Sequence, residues 1–309
     1  PQNDVENSTK ILLYFYKKQC DIAIIETGLG GTTDCTNIVE PLVSVITTIG
    51  YDHMDILGKN LKEIMSHKAG IIKSNSETIF IDQPEVVDIV KEKCKKEKNT
   101  LHLIKTEDIE NYEYNEYFQN FDYKQYKNIE INLKGKVQTL NAAEALETID
   151  ILKQRGYNID ETAIRDGLKT IVHKARMEKL VNNPCIIFDG GHNENAIRNL
   201  KQNIEQYYKN KKRVYIISIL QTKDYNTIIK ELSEDNEAVF YFTNGVQDRP
   251  YVPAKTLKEE AIKYIEEERV NARNLEEAIK EVKEKYKDRT IFIIGSFYVY
   301  KNVIKALKE

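Results

Sequence analysis

Four stretches of the chain put acidic, imidazole and glycine residues directly after an apolar run. Residues 21–26 (DIAIIE) end in Glu26 and pass into Gly28, Gly30 and Gly31. Residues 42–49 pass into Asp52 and His53, and residues 185–189 (CIIFD) end in Asp189 and continue as Gly190-Gly191-His192-Asn193. Residues 290–294 pass into Gly295 and Ser296. Short apolar runs bounded by turn signals read as buried strands, and open parallel sheets bind ligands at the carboxyl ends of their strands. Glycine after a strand lets backbone N–H groups approach a ligand, and the N-terminus of the next helix favours an anion. Each stretch alone has a plainer reading. The T-G-L-G-G run carries no lysine or Ser/Thr placed as a Walker A loop requires, and reads as a tight turn. His53 alone reads as an ordinary hydrogen-bonded histidine, and Asp189 is equally suited to capping the helix that follows. Convergence of these strand ends on one crevice is what would make them a site for an anionic ligand.

The elements that must position them alternate between strand and helix. Residues 7–18, 61–71, 141–156 and 161–170 have helical spacing, and residues 77–81 read as a further strand. The charged stretch 91–98 reads as the solvated face of a helix, and residues 105–136, rich in Asn, Tyr, Lys and Glu, as irregular or antiparallel β structure. Residues 171–184 lack a period and read as a linker. A second series follows, with strands at 185–189, 213–220, 238–243 and 290–294 and helices at 194–209, 225–232, 254–267, 274–287 and 296–307. Strands alternating with helices imply right-handed crossovers and mainly parallel sheets, an α/β fold.

Composition narrows the function classes. The 309 residues are 41% hydrophobic and 31% charged, enough apolar material for one large or two ordinary domains. A net charge of −3, from 46 basic and 49 acidic residues, gives no electrostatic reason to expect nucleic acid or membrane. No apolar run approaches the roughly 20 residues of a transmembrane helix. Cys20, Cys35, Cys94 and Cys185 are scattered with no C-x-x-C pair, which fits reduced thiols in the cytoplasm. The chain begins at Pro1 and its first methionine is Met54, which leads us to expect a fragment of a longer protein.

Taken in order, the motifs resemble those of folylpolyglutamate synthases and dihydrofolate synthases in the Mur ligase superfamily. They are E-T-G-L-G-G-T-T-D-C-T-N from Glu26 to Asn37, I-G-Y-D-H ending at His53, Leu57-Gly58 and H-K-A-G-I-I-K from His67 to Lys73. Further on come Q-T-L-N from Gln138 to Asn141, F-D-G-G-H-N ending at Asn193, Lys223-Asp224, Arg249-Pro250 and G-S-F-Y from Gly295 to Tyr298. The resemblance implies an incomplete Mur-type P-loop ATPase domain over residues 1–178 and a smaller Rossmann-like, glutamate-ligase domain over 179–309. It implies an ATP- and Mg²⁺-dependent ligation of glutamate to dihydropteroate or folate through an acyl phosphate, by a cytoplasmic monomer. Glu26 and His53 match Mg²⁺ ligands, and Lys68 matches the lysine that becomes carbamylated and so turns into an oxygen ligand. Gln138, Asn141, Arg176, Asn193 and Arg249 match residues around the nucleotide, and Asp189 and His192 match catalytic ones. Arg176 follows Lys174-Ala175 where the family has P-G-R, and Gly191 replaces an alanine. The family's G-T-N-G-K-G-S phosphate loop is found nowhere in the 309 residues and is expected upstream of Pro1, so the chain alone is expected to be inactive. The alternatives are another Mur-type amino-acid ligase or an inactive fragment.

Overall fold

The computed structural model describes residues 2–308. They form two compact units. One runs to Ile109 and resumes over Leu140–Asp160; the other takes Glu110–Thr139 and the chain from Glu161 onward.

The first unit opens with α1 (Gln2–Lys18), whose last turn carries Lys17 and Lys18 where the helix dipole favours cations. A three-stranded parallel sheet follows, in the order β1 (Val43–Ile46), β2 (Glu77–Ile81), β3 (Thr100–Ile104). Between β1 and β2 lie α2 (Met54–Leu57) and α3 (Leu61–Lys68), the latter continued by a 3₁₀ turn over Ala69–Ile71; α4 (Val87–Glu97) links β2 to β3. Ile64 and Met65 of α3, Val87, Val90 and Cys94 of α4, and Ile46 and Phe80 of the sheet are buried together. The long helix α5 (Val137–Gln154) brings Ala143, Leu146 and Ile151 to full burial.

The second unit has two sheets. Residues 105–136 contain the three-stranded sheet β4 (Ile109–Tyr114), β5 (Gln119–Tyr123), β6 (Tyr126–Ile131), the last two antiparallel. Helix α6 (Glu161–Thr170) packs beside β6. The main sheet has six strands: β7 (Glu178–Val181), β8 (Ile186–Asp189), β9 (Arg213–Ile217), β10 (Val239–Thr243), β11 (Val270–Arg273) and β12 (Thr290–Ile294). Their order is β11-β10-β9-β12-β8-β7, parallel except for β7. Alternate residues face opposite ways, as the strand period requires. Ile187, Tyr215, Ile217, Phe240, Phe242, Phe292 and Ile294 pack against α7 (Glu194–Tyr208), α8 (Tyr225–Ser233) and α9 (Ala254–Ala261). Ile186, Phe188, Val214, Ile216, Tyr241, Ile291 and Ile293 pack against α10 (Leu275–Lys285) and α11 (Tyr300–Lys308). Covered on both faces, these strands read as continuous apolar runs instead of alternating ones. At the amino end of β9, Arg213 donates to both oxygens of Asp235, the second at 3.0 Å, and Tyr215 donates to the same carboxylate at 2.9 Å.

Several expectations change. Residues 21–26 do not form a strand; Ile24 is 91% exposed. An apolar run becomes a strand only when a neighbour accepts its hydrogen bonds, and among the described strands β1 pairs with β2 alone. The strand expected at 42–49 is confined to Val43–Ile46. The linker at 171–184 contains β7, held as an antiparallel edge by β8. The helix expected over 254–267 ends at Ala261, and β3 and β11 are strands that the pattern missed.

One buried group makes the first unit sensitive to pH. Glu144 on α5 is 4% exposed and its Oε1 has no hydrogen-bond partner. Burial raises its carboxyl to about 8. The folded state therefore holds a proton that the unfolded chain releases above the ordinary value of 4.5, so stability falls as pH rises from 4.5 to about 8. The slope is about 1.4 kcal/mol per pH unit for one such group. Urea unfolding at pH 5, 6, 7 and 8 is expected to show this decline, and Glu144→Gln is expected to flatten it.

Candidate functional site

In the first unit the glycine-rich loop that follows Glu26 meets the end of α3, where Lys68 lies. Helix α3 starts at Asn60, whose Oδ1 accepts from the Glu63 N–H at 3.0 Å while Glu63 accepts from the Lys59 N–H at 2.7 Å. This pins the helix whose last residue is Lys68. At its far end the loop closes on exposed carbonyls, since Thr32 donates to His67 O through its N–H at 2.9 Å and through its hydroxyl at 3.1 Å. The approach depends on two glycines. A Cβ at Gly31 would lie 2.6 Å from His67 O and 2.7 Å from Lys68 O, and one at Gly70 would lie 2.5 Å from Thr32 Cα. Asp34 folds the loop on itself, accepting from Leu29 N–H at 2.8 Å, Thr36 N–H at 2.9 Å and the Thr36 hydroxyl at 2.6 Å. Burial pushes the Asp34 carboxyl up, but these donors outweigh it and leave it below its ordinary value. Asn37, at the end of the loop, accepts from Lys73 Nζ at 3.0 Å.

Lys68 is partly buried, and burial lowers its amine pKa although the Asp52 carboxylate pulls it back up. His53, next to Asp52, caps α2 in the left-handed region at φ 50°. Glu26 is exposed. Among the described residues no three His, Cys, Asp or Glu side chains converge as a ready metal cage. Gln138 and Asn141 lie in the first turns of α5, Gln138 in the second unit's segment and Asn141 in the first's.

In the second unit the site lies at the carboxyl edge of the main sheet. Asp189 ends β8 and is buried, with Oδ1 accepting from Gly191 N–H at 2.8 Å and Oδ2 from Met177 N–H at 3.0 Å. Burial raises its carboxyl, against those two donors and the nearby Arg176. The helix cap is Asn193, whose Oδ1 accepts from Ala196 N–H at 2.9 Å, which leaves Asp189 to hold backbone on either side of Arg176 and His192. Arg176 sits between Ala175 and Met177, at φ 60° and 44°, left-handed conformations uncommon for residues with side chains. Ala175 holds this turn by donating to Glu178 at 2.7 Å and accepting from Gly190 N–H at 2.8 Å. His192 Nδ1 lies 2.9 Å from Gly190 O; a carbonyl only accepts, so Nδ1 carries a proton. Arg249 is exposed and stands over the Tyr298 ring, its carbon 3.6 Å from the centroid. Its backbone is fixed through Pro250–Val252, with Gln221 N–H donating to Pro250 O at 3.0 Å and Val252 N–H to Ile219 O at 2.8 Å.

Residues 2–149 match the Mur ligase middle domain, and residues 172–306 the C-terminal domain of dihydrofolate synthetase. The chain is 30% identical to the dihydrofolate synthase/folylpolyglutamate synthase of Bacillus subtilis, covering 96% of this chain and 70% of that protein. It is 30% identical to the folylpolyglutamate synthase of Lacticaseibacillus casei, over 95% of this chain and 68% of the other. The chain belongs to the dihydrofolate synthase/folylpolyglutamate synthase family. Solved relatives agree in fold. The apo form of the L. casei folylpolyglutamate synthase superposes with a TM-score of 0.77 at 25% identity, over 96% of this chain and 68% of that one. E. coli FolC in complex with ADP superposes with a TM-score of 0.80 at 26% identity, over 95% and 68%.

Within this member of the folylpolyglutamate synthase family, the structure gathers Lys68, Asp52 and His53 in one unit and Arg176, Asp189 and His192 in the other. Residue pattern alone gave no role to Asp34, Phe297 or Tyr298. The D-x-T spacing of Asp34 and Thr36, which favours a local side-chain turn, was the available signal for Asp34. Gly31→Ala is expected to lower stability by roughly 1–3 kcal/mol, because the atoms it meets are backbone and cannot turn aside. Chemical denaturation of the two chains side by side measures the loss.

Proposed function

We propose that this protein carries out ATP- and Mg²⁺-dependent ligation of L-glutamate to dihydropteroate or a folate. Phosphorylation of the substrate carboxylate gives an acyl phosphate, which the glutamate amine displaces with release of phosphate. The observation that carries this reading is the 30% identity to a dihydrofolate synthase/folylpolyglutamate synthase over 96% of the chain. Its substrates are small molecules. We further propose that the functional division follows residues 1–178 and 179–309, that the protein acts as a monomer, and that it works in the cytoplasm, where four free thiols and ATP are at home. No helix among the described residues is long and apolar enough to cross a membrane.

The donor types of Glu26, His53 and a carbamylated Lys68 suit a bound Mg²⁺. This ion takes one or two carboxylate-type oxygens and fills its remaining positions with water and substrate phosphate, so a full protein cage is not needed. Glu26, His53 and a carbamylated Lys68 would hold it, and it would neutralise charge on the transferring phosphoryl group. Carbamylation needs a neutral amine: the nitrogen lone pair bonds to the carbon of CO₂ and the amine proton leaves. Burial of Lys68 favours that neutral form. In the second unit Arg176, Asn193, Arg249 and Gln138 would bind the nucleotide, a role assigned to Asn141 in the first. His192 would present Nε2 to the reacting groups, and Asp189 would hold the turns that carry Arg176 and His192.

Two measurements test this. With ¹³C-bicarbonate, the chain is expected to give a carbamate carbon signal in NMR that Mg²⁺ strengthens; a Lys68→Arg chain with the same signal would remove Lys68 from the metal site. The 309 residues contain no G-K-[ST] loop, and loss of one preorganised donor to a developing charge costs about 10²–10³ in rate. Assayed alone, the chain is expected to show no glutamate-dependent ADP release near ordinary enzyme rates. Joined to the part of the B. subtilis relative that it does not cover, it is expected to release ADP with dihydropteroate or tetrahydrofolate. Release with UDP-muramyl peptides in their place would favour a cell-wall ligase.

A further inference from the structure

The chain has nine arginines, all after residue 150. Seven of them donate to a carboxylate or a backbone carbonyl. The other two are Arg176 and Arg249, which make no ion pair or hydrogen bond among the described residues. Arg176 feels the Asp189 charge, but both Asp189 oxygens are taken by the N–H groups of Gly191 and Met177. What holds each of these arginines is an aromatic face, and the two faces are consecutive in sequence. Arg176 stands 4.3 Å from the Phe297 centroid and Arg249 3.6 Å from that of Tyr298. Phe297 also meets the His192 ring edge to face at 5.8 Å.

The two rings sit on a rigid support. They lie on a 3₁₀ turn, Phe297–Val299, capped by Ser296, whose Oγ accepts from Tyr298 N–H at 3.2 Å and lies 2.9 Å from the Tyr251 hydroxyl. Val299 is fully buried beneath the turn. Phe297 lies so close over Gly190 that a Cβ there would be 2.2 Å from the ring. Gly295, at φ 96°, brings the strand end against Ser218 O. A guanidinium donates in its own plane, so a carboxylate partner consumes its donor fork, whereas a ring beneath its face leaves that fork available.

We propose that Phe297 and Tyr298 are positioning residues that hold Arg176 and Arg249 by their faces, so that both donor forks stay available to an oxyanion group of the substrate. The ligand chemistry is a phosphate or a carboxylate, supplied by the nucleotide or by glutamate. This rests on the nucleotide and glutamate reading above for the identity of the ligand, and on the stacking geometry alone for the role of the rings.

The test follows the arginine Nε–Hε signals of the full chain by NMR, with Mg–ADP and L-glutamate titrated separately. Phe297→Leu is expected to remove the ring-current shift of Arg176 and leave that of Arg249; Tyr298→Leu is expected to do the reverse. Each leucine variant is expected to weaken binding of the probe that its arginine contacts by about tenfold, which is about 1.4 kcal/mol. Phe297→Tyr and Tyr298→Phe are expected to retain both the shifts and the affinity, because each keeps the ring face beneath its arginine. Unshifted arginine signals in the parent chain, or leucine variants that bind both probes as the parent does, would overturn the proposal. A parent chain that binds neither probe while its arginine signals show the ring shifts overturns the ligand reading and leaves the stacking role standing on those signals.

Discussion

Asp189 ends a strand whose four residues are all buried, and backbone N–H groups satisfy its carboxylate. It finds one on each side, Met177 before the strand and Gly191 after it. The rest of the second unit's site follows from that pair of bonds. Met177 is pulled in, so the 175–177 turn adopts its two left-handed residues and aims Arg176 at Phe297. Gly191 is pulled in, so Gly190 O faces His192 and fixes its tautomer. A buried, unpaired carboxylate would cost several kcal/mol, and these donors with Arg176 nearby offset much of that cost.

The first unit meets the same kind of demand by close backbone approach. Lys68 ends a helix, and its last carbonyls need donors. Gly31 and Gly70 remove the two Cβ atoms that would otherwise keep the loop away, and Thr32 then supplies both an N–H and a hydroxyl to His67 O. Covering the helix end also withdraws Lys68 from water, which favours its neutral amine. The tight turn read from T-G-L-G-G and the lysine of H-K-A-G-I-I-K are thus two sides of one contact.

The second unit shows two ways of orienting charge. In the body of the second unit, arginines are neutralised by carboxylates and carbonyls, as Arg213 is by Asp235. At its carboxyl edge they are held by ring faces. Pairing there would fix the arginines firmly but would occupy the donors that a substrate needs.

Much was legible from sequence where a local pattern decides structure by itself. Residues 77–81, 161–170 and 290–294 were read with the observed bounds, because their apolar spacing and their turn or cap residues agree. The order of motifs from Glu26 to Tyr298 identified the family and named Lys68, Asp189 and His192. Only tertiary structure decided the rest. DIAIIE has the composition of a strand and is none, because a strand is defined by a partner that local sequence does not contain. Glu144 looks like any glutamate on a helix until neighbouring elements bury it and raise its carboxyl to about 8. Asp189 and Asn193 both suit a helix cap, and the choice fell to Asn193 only when Met177, twelve residues upstream of Asp189, came within reach of the aspartate. Composition and spacing set which groups a residue can bond; which of them stand within 3 Å depends on how distant segments fold together.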